Sequence, residues 1–333
     1  MRLSIALCTY NGGRFLGDQF ASFAAQTRLP DEVVVCDDGS TDGTVSIIES
    51  FAQSVPFPIS LYRNPNRLRY CANFEKAASL CQGDIISFSN QDDVWYPSKL
   101  KRTEETFARF PDADALFCDA DVVDEHRRPM GRTAWQGYRF NRRLQNMMLH
   151  GRSAEVMLRT HPAPLGMCIA FRAHCLKWLR PFPSEGVGHD RWAVLLTAFV
   201  SDVMIIQEVL AQYRQHPRNI SGGIKVGPLT DRLKSVVVQG PAMTRQKRYL
   251  DRVKIFAALR NRLTQLDQVP DMERKLDMVD RKIRHLERRA NMPSVRICRV
   301  PHILRECINL GYQRCSEGFV DVLRDLAEKD QRC

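Results

Sequence analysis

The sequence predicts an α/β protein with a mainly parallel sheet flanked by helices, followed by a helical C-terminal region. Three observations support this class. Short apolar, β-branched runs alternate with helix-like segments over about the first 120 residues, polar clusters follow three of those runs, and beyond residue 224 the apolar spacing is helical only. Because parallel strands need crossover connections, the alternation favours a sheet covered on both faces.

Four short apolar runs are predicted strands in the first part of the chain. They are Leu3–Cys8, Glu32–Cys36, Ile59–Tyr62 and Asp84–Phe88. Helical spacing lies between them, at residues 15–23, from residue 44 onward, and at 73–80. Further along, we predict a strand at 115–118, a strand-like segment at Pro164–Phe171 and a helix at Arg191–Phe199.

The C-terminal part carries two apolar stripes with helical spacing on either side of Pro270-Asp271. The first comprises Leu250, Val253, Phe256, Leu259, Leu263 and Leu266, and the second Met272, Leu276, Val279, Ile283 and Leu286. The spacing predicts two antiparallel helices joined by a tight loop. A third helix is expected over Ile303–Leu326. We therefore expect a domain at 1–224 and a basic helical region at 225–333.

Positive charge is concentrated in that helical region. Residues from Lys225 onward contain 24 Lys and Arg against 14 Asp and Glu, a net charge of +10 out of +11 for all 333 residues. A local excess suggests an anionic partner such as lipid headgroups, nucleic acid or a phosphorylated acceptor. A merely solvated helical surface is the alternative.

The remaining bulk properties are those of a folded cytoplasmic protein. No apolar run approaches 20 residues, and the N-terminus lacks the pattern of a signal peptide. Eleven cysteines form no CxxC pair, so we expect free thiols in a reducing compartment and neither a zinc knuckle nor a disulfide framework.

Three polar clusters follow predicted strands, where ligands bind in parallel sheets. They are Thr9-Tyr10-Asn11, Asp37-Asp38 and Asp92-Asp93. The last pair suits Mg²⁺ or Mn²⁺ beside a diphosphate, whose departing charge the ion would stabilise. A capping turn is the alternative for Asp92-Asp93, as an Asx turn is for Asp38.

Two later segments carry further candidates. Asp190 lies at the opening of a predicted helix, where a carboxylate serves as a general base or as an N-cap. Arg214 and His216 combine a guanidinium and an imidazole, which suit a diphosphate and a metal ion. A solitary histidine is more often structural.

The ordered motifs resemble a known family. LSIALCTYNGGRFL, AQTRLPDEVVVCDDGSTDGT, NFEKA and GDIISFSNQDDVWYPSKL resemble inverting glycosyltransferase family 2, which has the GT-A fold. GVGHDRW and VLAQYRQHPRNISG are similar to a bacterial branch that includes rhamnosyltransferases of surface-polysaccharide assembly. The resemblance covers residues 1–222 and implies transfer of a sugar from a nucleoside diphosphate to a hydroxyl group, with inversion.

The resemblance also implies roles for the candidate residues. Thr9, Tyr10 and Asn11 correspond to the nucleotide-binding strand end, and Asp38 to the acid that meets the base. Asp93 corresponds to the metal ligand and Asp92 to the acid nearer the ribose. Asp190 corresponds to the catalytic base, whereas Arg214 and His216 lie near the diphosphate, with His216 a second candidate metal ligand.

Two positions depart from the family pattern. Arg69 stands where relatives often carry glycine, so the loop on the donor side is expected to differ. His189 precedes Asp190 in place of an acid, which leaves Asp190 as the sole candidate base in that segment.

The expected donor is dTDP-rhamnose or a UDP-sugar, used with Mg²⁺ or Mn²⁺, and the expected acceptor is a glycan or a lipid-linked hydroxyl compound. The basic tail suggests peripheral contact with the anionic inner face of the cell membrane. No nucleic acid partner is expected, because the tail lacks an aromatic stacking motif.

Two rival functions remain. A nucleotidyltransferase also places carboxylates at strand ends, but no glycine-rich triphosphate loop follows the first strand. A non-catalytic sugar-nucleotide-binding or scaffold protein is the other rival, and the joint presence of Asp38, Asp92, Asp93 and Asp190 argues against it.

Overall fold

A computed structural model of the chain describes residues 1–159, 164–183, 186–219, 245–267 and 269–328. These residues form two compact units. The first contains residues 1–153 and the described residues from 164 to 219, and the second contains 154–159 and the described residues from 245 onward. The predicted domain boundary at residue 224 lies outside the described residues and stays a prediction.

Nine strands of the described chain form one sheet in the first unit. They are β1 (Leu3–Thr9), β2 (Glu32–Asp37), β3 (Ile59–Arg63), β4 (Ile85–Asn90), β5 (Val94–Trp95), β6 (Ala113–Val123), β7 (Pro129–Thr133), β8 (Ile169–Arg172) and β9 (Asp202–Arg214). Their order is β3-β2-β1-β4-β8-β6-β9-β5, and β7 pairs with β6.

The sheet is mixed but mainly parallel, which confirms the predicted class. Strands β1 to β4 run parallel to one another, and β6 runs parallel to β9. Strand β8 is antiparallel to both of its neighbours, β4 and β6. The central strands are apolar along most of their length because helices cover both of their faces.

Helices of the first unit connect these strands. They are α1 (Gly13–Ala24), α2 (Thr44–Ala52), α3 (Arg69–Leu80), α4 (Lys99–Arg109), α5 (Ala134–Gly137), α6 (Arg142–Leu149), α8 (Leu176–Leu179) and α9 (His189–Val200). Helix α7 (Ser153–Arg159) begins at the last residue of the first segment and lies mostly in the second unit. The strand-like segment Pro164–Phe171 is only partly extended, since a 3₁₀ turn at Gly166–Cys168 precedes β8.

The second unit is helical. Helices α10 (Arg245–Leu263) and α11 (Met272–Ala290) lie on either side of Pro270-Asp271 and pack together, as the two stripes predicted. Three shorter helices follow: α12 (Val300–Ile308), α13 (Gly311–Cys315) and α14 (Phe319–Ala327). Among the described helices, none combines the length and the apolar character needed to span a bilayer.

The prediction of one continuous helix over Ile303–Leu326 is wrong. The backbone enters the left-handed region at Leu310, with φ of 56°, and again at Gly318, with φ of 64°. Each of these residues ends the regular hydrogen bonding of an α-helix, because a left-handed residue turns the chain away from the helix axis. The three short helices pack around a small core of Met292, Ile303 and Tyr312.

Candidate active site

Three polar segments leave the sheet at one edge. Thr9, the last residue of β1, lies opposite Asp37, the last residue of β2. On the other side of β1, Cys8 lies opposite Asn90, the last residue of β4. Since these strands are parallel, their carboxyl ends meet, and the structure brings the three predicted clusters together at this edge.

Thr9 and Asp37 form the buried base of the site. The Thr9 hydroxyl donates to Asp37 Oδ2 at 2.8 Å, and the amide and hydroxyl of Ser40 donate to the same carboxylate at 2.9 and 2.5 Å. Asp37 is completely buried, and these donors satisfy its charge. Thr9 therefore shapes the turn after β2 and does not point into solvent.

Tyr10 and Asn11 join the first cluster to the other two. The Tyr10 amide donates to Gln91 Oε1 at 2.8 Å, and Gln91 Nε2 returns a bond to the Tyr10 carbonyl at 3.1 Å. Asn11 has φ of 48°, and its Oδ1 accepts from the Thr41 amide at 2.8 Å. The Tyr10 ring is 37% exposed, which leaves an aromatic surface at the mouth of the site.

The Asp38 carboxylate is bound by the segment that starts α3. Oδ1 accepts from the Leu68 amide at 2.6 Å and from Asn64 Nδ2 at 3.0 Å, and Oδ2 accepts from the Arg69 amide at 2.8 Å. The Arg67 guanidinium lies 3.8 Å from Oδ2 and 3.7 Å from the centre of the Tyr10 ring. Asp38 thus fixes the loop opposite Tyr10, beside the expected base site.

Arg69, the departure from the family pattern, has a strained backbone. Its φ is 64°, in the left-handed region that favours glycine. Its amide must point at Asp38, which explains why the chain holds this conformation at a residue with a side chain.

Pairing of β5 with β9 positions the second pair of acids. These strands are antiparallel, with Val94 opposite Gln212. The residues just before Val94 therefore lie beside those just after Gln212. As a result, Asp92 and Asp93 meet Arg214 and His216, which lie more than 120 residues away in the sequence.

Asp93 and Asp92 have different environments. Asp93 is completely buried, its Oδ1 accepts from the Arg214 amide at 3.0 Å, and its Oδ2 accepts from Asn90 Nδ2 at 2.8 Å. Burial, and then the neighbouring Asp92, raises the pKa of Asp93 well above the ordinary value. The Asp92 side chain is 19% exposed, so it is the acid of the pair that solvent and ligands reach.

Arg214 is buried and connects the segment of Asp92 to Glu125 and Asp18. Its Nε donates to the Asp92 carbonyl at 2.9 Å, Nη1 donates to the Glu125 carbonyl at 3.0 Å, and Nη2 pairs with Asp18 at 2.7 Å. Its guanidinium also lies 4.6 Å from the centre of the Phe15 ring. These contacts use all three nitrogens, so the geometry favours a positioning role over direct contact with a diphosphate.

His216 Nε2 lies 2.9 Å from Asp92 Oδ2. Two ligand atoms at about 2.1 Å from one octahedral ion are about 3 Å apart, so this pair has the spacing of a divalent-metal site. The Arg218 amide donates to Nδ1 at 3.2 Å, which leaves the imidazole proton on Nε2, facing Asp92. Asp92 can therefore bind an ion in its present position. His216 can bind one through Nε2 only after the contact between the Arg218 amide and Nδ1 is released and the imidazole proton moves to Nδ1.

Asp190 lies in the first turn of α9 and is partly exposed. The Arg191 amide donates a hydrogen bond to Asp190 Oδ1 at 2.6 Å. The preceding His189 is buried and stacks on Phe74, with ring centres 3.6 Å apart. Burial lowers the pKa of His189 to about 4, so the imidazole is neutral near pH 7.

A chain of neighbours links Asp190 to the other acids. The space next to Gly166 is bordered by His189 Nε2 and Asn90 Oδ1, and Asn90 binds Asp93. On the other side, the His189 ring lies 6.4 Å from that of Tyr70, which follows Arg69. Burial, then Cys71, then the charge of Asp190 raises the pKa of Tyr70. His189, the neighbour of Asp190, therefore lies near both the end of β4 and the start of α3.

Comparison with known proteins supports the family resemblance. Residues 4–162 match the model described as glycosyl transferase family 2. This stretch, just under half of the chain, is similar to the domain of that family. The match confirms the family resemblance drawn from the motifs, and it includes the segments that hold Thr9, Asp38 and Asp92.

Relatives carry related names. An uncharacterized glycosyltransferase of Nostoc sp. is 29% identical over 223 residues, 66% of each chain. A dTDP-rhamnosyl transferase, RfbG of Shigella flexneri, is 35% identical over 99 residues, which are 28% of this chain and 34% of that one. The chain thus spans about two thirds of the first relative and about one third of the second.

Solved glycosyltransferase structures have a fold similar to that of this chain. S. aureus TarS 1-349 in complex with UDP-GlcNAc superposes with a TM-score of 0.59 at 15% identity, covering 98% of this chain and 90% of that one. Mannosyltransferase PcManGT from Pyrobaculum calidifontis, in complex with GDP-Man and Mn²⁺, gives 0.55 at 18% identity, covering 92% and 75%. These likenesses confirm the GT-A fold.

Another group of potential metal ligands lies elsewhere on the family 2 unit. Asp114, His174 and Cys175 offer ligand atoms within 4.8 Å of one another. They lie near the start of β6 and the end of β8, at the opposite edge of the sheet from Asp92. Burial raises the pKa of the Cys175 thiol above its ordinary value.

Sequence reasoning missed several residues that build the site. The sequence groups Asp37 with Asp38 and does not show that Asp37 alone holds the turn after β2. Asn90 and Gln91 are not among the predicted site residues, and Asp18 carries no signal in the sequence because its partner Arg214 is 196 residues away. Only the three-dimensional register reveals these contacts.

Proposed function

We propose that this chain is an inverting glycosyltransferase that moves a sugar from a nucleoside diphosphate to an acceptor hydroxyl. The supporting observation is the set of acids within a fold of the family 2 type: Asp38 and Asp92 follow the parallel strands β2 and β4 at one edge of the sheet, and Asp190 follows His189, which borders Gly166 together with Asn90 of β4. Such an edge is where parallel sheets bind ligands.

Asp190 is the proposed general base. It accepts the proton of the acceptor hydroxyl while the acceptor oxygen forms a bond to the anomeric carbon. The bond from that carbon to the diphosphate oxygen breaks on the opposite side, and its electron pair leaves with the nucleoside diphosphate. One in-line displacement of this kind inverts the anomeric configuration. The partly exposed carboxylate beside neutral His189 supports this role.

The donor side is built from the remaining acids. Tyr10 and the loop fixed by Asp38 border the nucleoside, with Thr9 and Asn11 shaping the strand end. We assign Mg²⁺ or Mn²⁺ to Asp92, with His216 as a second ligand. Buried Asp93 positions this pair in place of the direct ligand role expected from the family pattern. When bound, the ion stabilises negative charge on the departing diphosphate.

The substrates we propose are dTDP-rhamnose or a UDP-sugar as donor and a glycan or lipid-linked alcohol as acceptor, in cell-surface polysaccharide synthesis. The similarity to the Shigella rhamnosyl transferase favours the first donor, and the UDP-GlcNAc in the TarS complex favours the second. We further propose that the protein works in the cytoplasm, with its basic C-terminal unit in peripheral contact with the anionic membrane face.

Donor turnover by the purified full-length chain tests this function. We expect nucleoside diphosphate release from one donor of a dTDP-, UDP- and GDP-sugar panel, dependent on Mn²⁺ or Mg²⁺ and accelerated by an acceptor. The glycoside formed should have the opposite anomeric configuration to the donor by NMR. A chain that binds a nucleotide sugar but never consumes it would instead be a binding or scaffold protein.

A further inference from the structure

Five arginines line one pocket of the second unit. They are Arg281, Arg284, Arg288, Arg305 and Arg314, which we call the arginine pocket. They come from α11, α12 and α13, so the fold, and not a run of sequence, gathers them. Their guanidinium groups carry five positive charges around a cavity of about 370 Å³. An excess of this kind in a concave site attracts anions.

Acids within reach neutralise only part of this charge. Glu306, the single acid of the pocket lining, pairs with Arg288 at 2.6 Å, and Asp277 outside it pairs with Arg281 at 2.9 Å. Within the described residues, Arg305 and Arg314 have no acidic partner at salt-bridge distance, and both side chains are exposed. They are free to meet an anion from outside.

The wall of the pocket contains an unsatisfied polar atom. His285 is only 2% exposed, and its Nδ1 bonds Glu306 Oε2 at 2.6 Å. Its Nε2 is buried and, over the described part of the chain, has no hydrogen-bond partner. Buried polar atoms are normally satisfied, so this orphan is an unusual feature of a residue that lines the pocket.

An exposed apolar stripe adjoins the arginine pocket. Val300, Leu304 and Ile308 recur every four residues on α12, and Leu304 and Ile308 are 56% and 80% exposed. We call these three residues the apolar stripe. Each residue turns an α-helix by roughly 100°, so Arg305 projects from the face beside this stripe. The inner face of α12 is occupied differently, by Ile303 in the core.

We propose that the arginine pocket and the apolar stripe form one docking site for an anionic membrane, in which lipid phosphates occupy the pocket and the stripe enters the acyl boundary. Paired positive charge and exposed apolar area are the two features that give peripheral proteins affinity for anionic bilayers. A water-soluble phosphate would use the arginines but not the stripe, so the combination favours lipid. The inference rests on the membrane contact proposed above and gives it a location.

Vesicle sedimentation with the full-length chain tests the site. We expect binding to phosphatidylcholine vesicles that contain phosphatidylglycerol, and little binding to phosphatidylcholine alone. Replacing both unpaired arginines, Arg305→Gln with Arg314→Gln, should weaken binding about 10- to 30-fold. The stripe variant Leu304→Ser with Ile308→Ser should weaken it at least about 10-fold. All four side chains are exposed, so circular dichroism and the melting temperature should stay unchanged.

Lys254→Gln with Arg274→Gln is the matched control. Both residues are exposed, belong to the same unit and lie outside the pocket. Their replacement removes the same charge as the pocket variant, and we expect vesicle binding to change less than about threefold. An equal loss in the control and pocket variants would overturn the site in favour of diffuse attraction. Wild-type protein that ignores the charged vesicles, or a stripe variant that only converts a dimer to a monomer, would also overturn it.

The sedimentation assay contains neither donor nor acceptor, which separates it from the test of function. A chain that consumes donor but does not sediment contradicts this site and leaves the transferase proposal intact. A chain that sediments but never consumes donor supports this site and contradicts the transferase proposal.

Discussion

Two pairs of acids, one pair in each unit, have opposite surroundings. In the second unit, Asp321 and Asp325 are buried and share the guanidinium of Arg289, at 3.2 and 2.7 Å. The hydroxyls of Tyr249 and Tyr312 also donate to Asp325, at 2.9 and 2.7 Å. Burial alone would raise the pKa of Asp321, but Arg289 and Arg324 lower it below its usual range. These contacts of Asp321 and Asp325 stabilise the folded second unit.

In the first unit, Asp92 and Asp190 stay partly exposed with few partners. Their carboxylates are reached by solvent and, among the described residues, lack the buried cationic partner that Asp325 has in Arg289. The difference teaches that the number of partners and the exposure of an acid, more than its residue type, separate structural acids from candidate catalytic ones.

The buried acids should give the largest stability effect. Asp325→Asn removes a charge from beside Arg289 and is expected to lower the free energy of unfolding by about 3–5 kcal/mol, because the buried Arg289 then keeps only Asp321, within the described chain, as a charged partner. Urea denaturation measures this loss. The control is Asp280→Asn, whose pair with Arg260 lies at the surface and should contribute far less to stability. Equal losses in the two variants would remove the distinction between the units.

Asp92→Asn should give the reverse pattern, a kinetic effect with little loss of stability. We expect metal-dependent turnover to fall about 100-fold, equivalent to about 2.7 kcal/mol, because a carbonyl oxygen replaces the charged ligand. Titration of Mn²⁺ against initial rate checks this.

Asp93→Asn is the matched comparison for Asp92→Asn. Asp93 is buried and accepts bonds from Asn90 and Arg214, so an amide that faces these donors should cost about 1–3 kcal/mol of stability. If Asp93→Asn leaves the fold stable and abolishes Mn²⁺ dependence while Asp92→Asn does not, the ion belongs to Asp93.

Acid should destabilise the first unit through His189. Burial lowers the pKa of this imidazole from about 6.5 to about 4, so below pH 6.5 the unfolded chain binds a proton that the folded chain refuses. Stability is therefore lost as the pH falls from 6.5 towards 4, by about 2 kcal/mol between pH 8 and pH 5. His189→Gln should reduce the difference in unfolding free energy between these two pH values by that amount. Parallel pH dependence in both proteins would contradict this account.

Arg69→Gly should give the smallest effect, a gain in stability. Glycine relieves the left-handed backbone at φ of 64° and keeps the amide that binds Asp38, so we expect a gain of about 1 kcal/mol. Arg69→Ala retains the Cβ atom and serves as the control, with no gain. Equal melting temperatures for the two variants would show that the backbone is not strained there.

Much of the fold could be predicted because apolar runs and helical spacing report burial directly. Strand β1, for example, is an apolar run in the sequence and is buried along almost all of its length. The break of the third helix at Leu310 could not be predicted, since leucine is a good helix former and tertiary packing sets its backbone conformation.

The candidate site was predictable only in part. Strand ends located the acid clusters, because parallel strands end at a shared edge. The pairing of Asp92 with His216 depends on β5, a strand of two residues with no periodicity to detect. The burial of Asp93 depends on the same pairing. The hydrogen-bond partners and the exposure of each acid, which separate structural from candidate catalytic acids, depend on how the strands pair and not on the local sequence.

Asp190→Asn, with donor affinity and turnover measured on the same preparation, tests the central claim most directly. If Asp190 is the base at an edge shared with the donor site, turnover should fall about 1,000-fold or more while the donor dissociation constant changes less than about threefold. Near-normal turnover in this variant would contradict the account, because the proton of the acceptor would then have another destination.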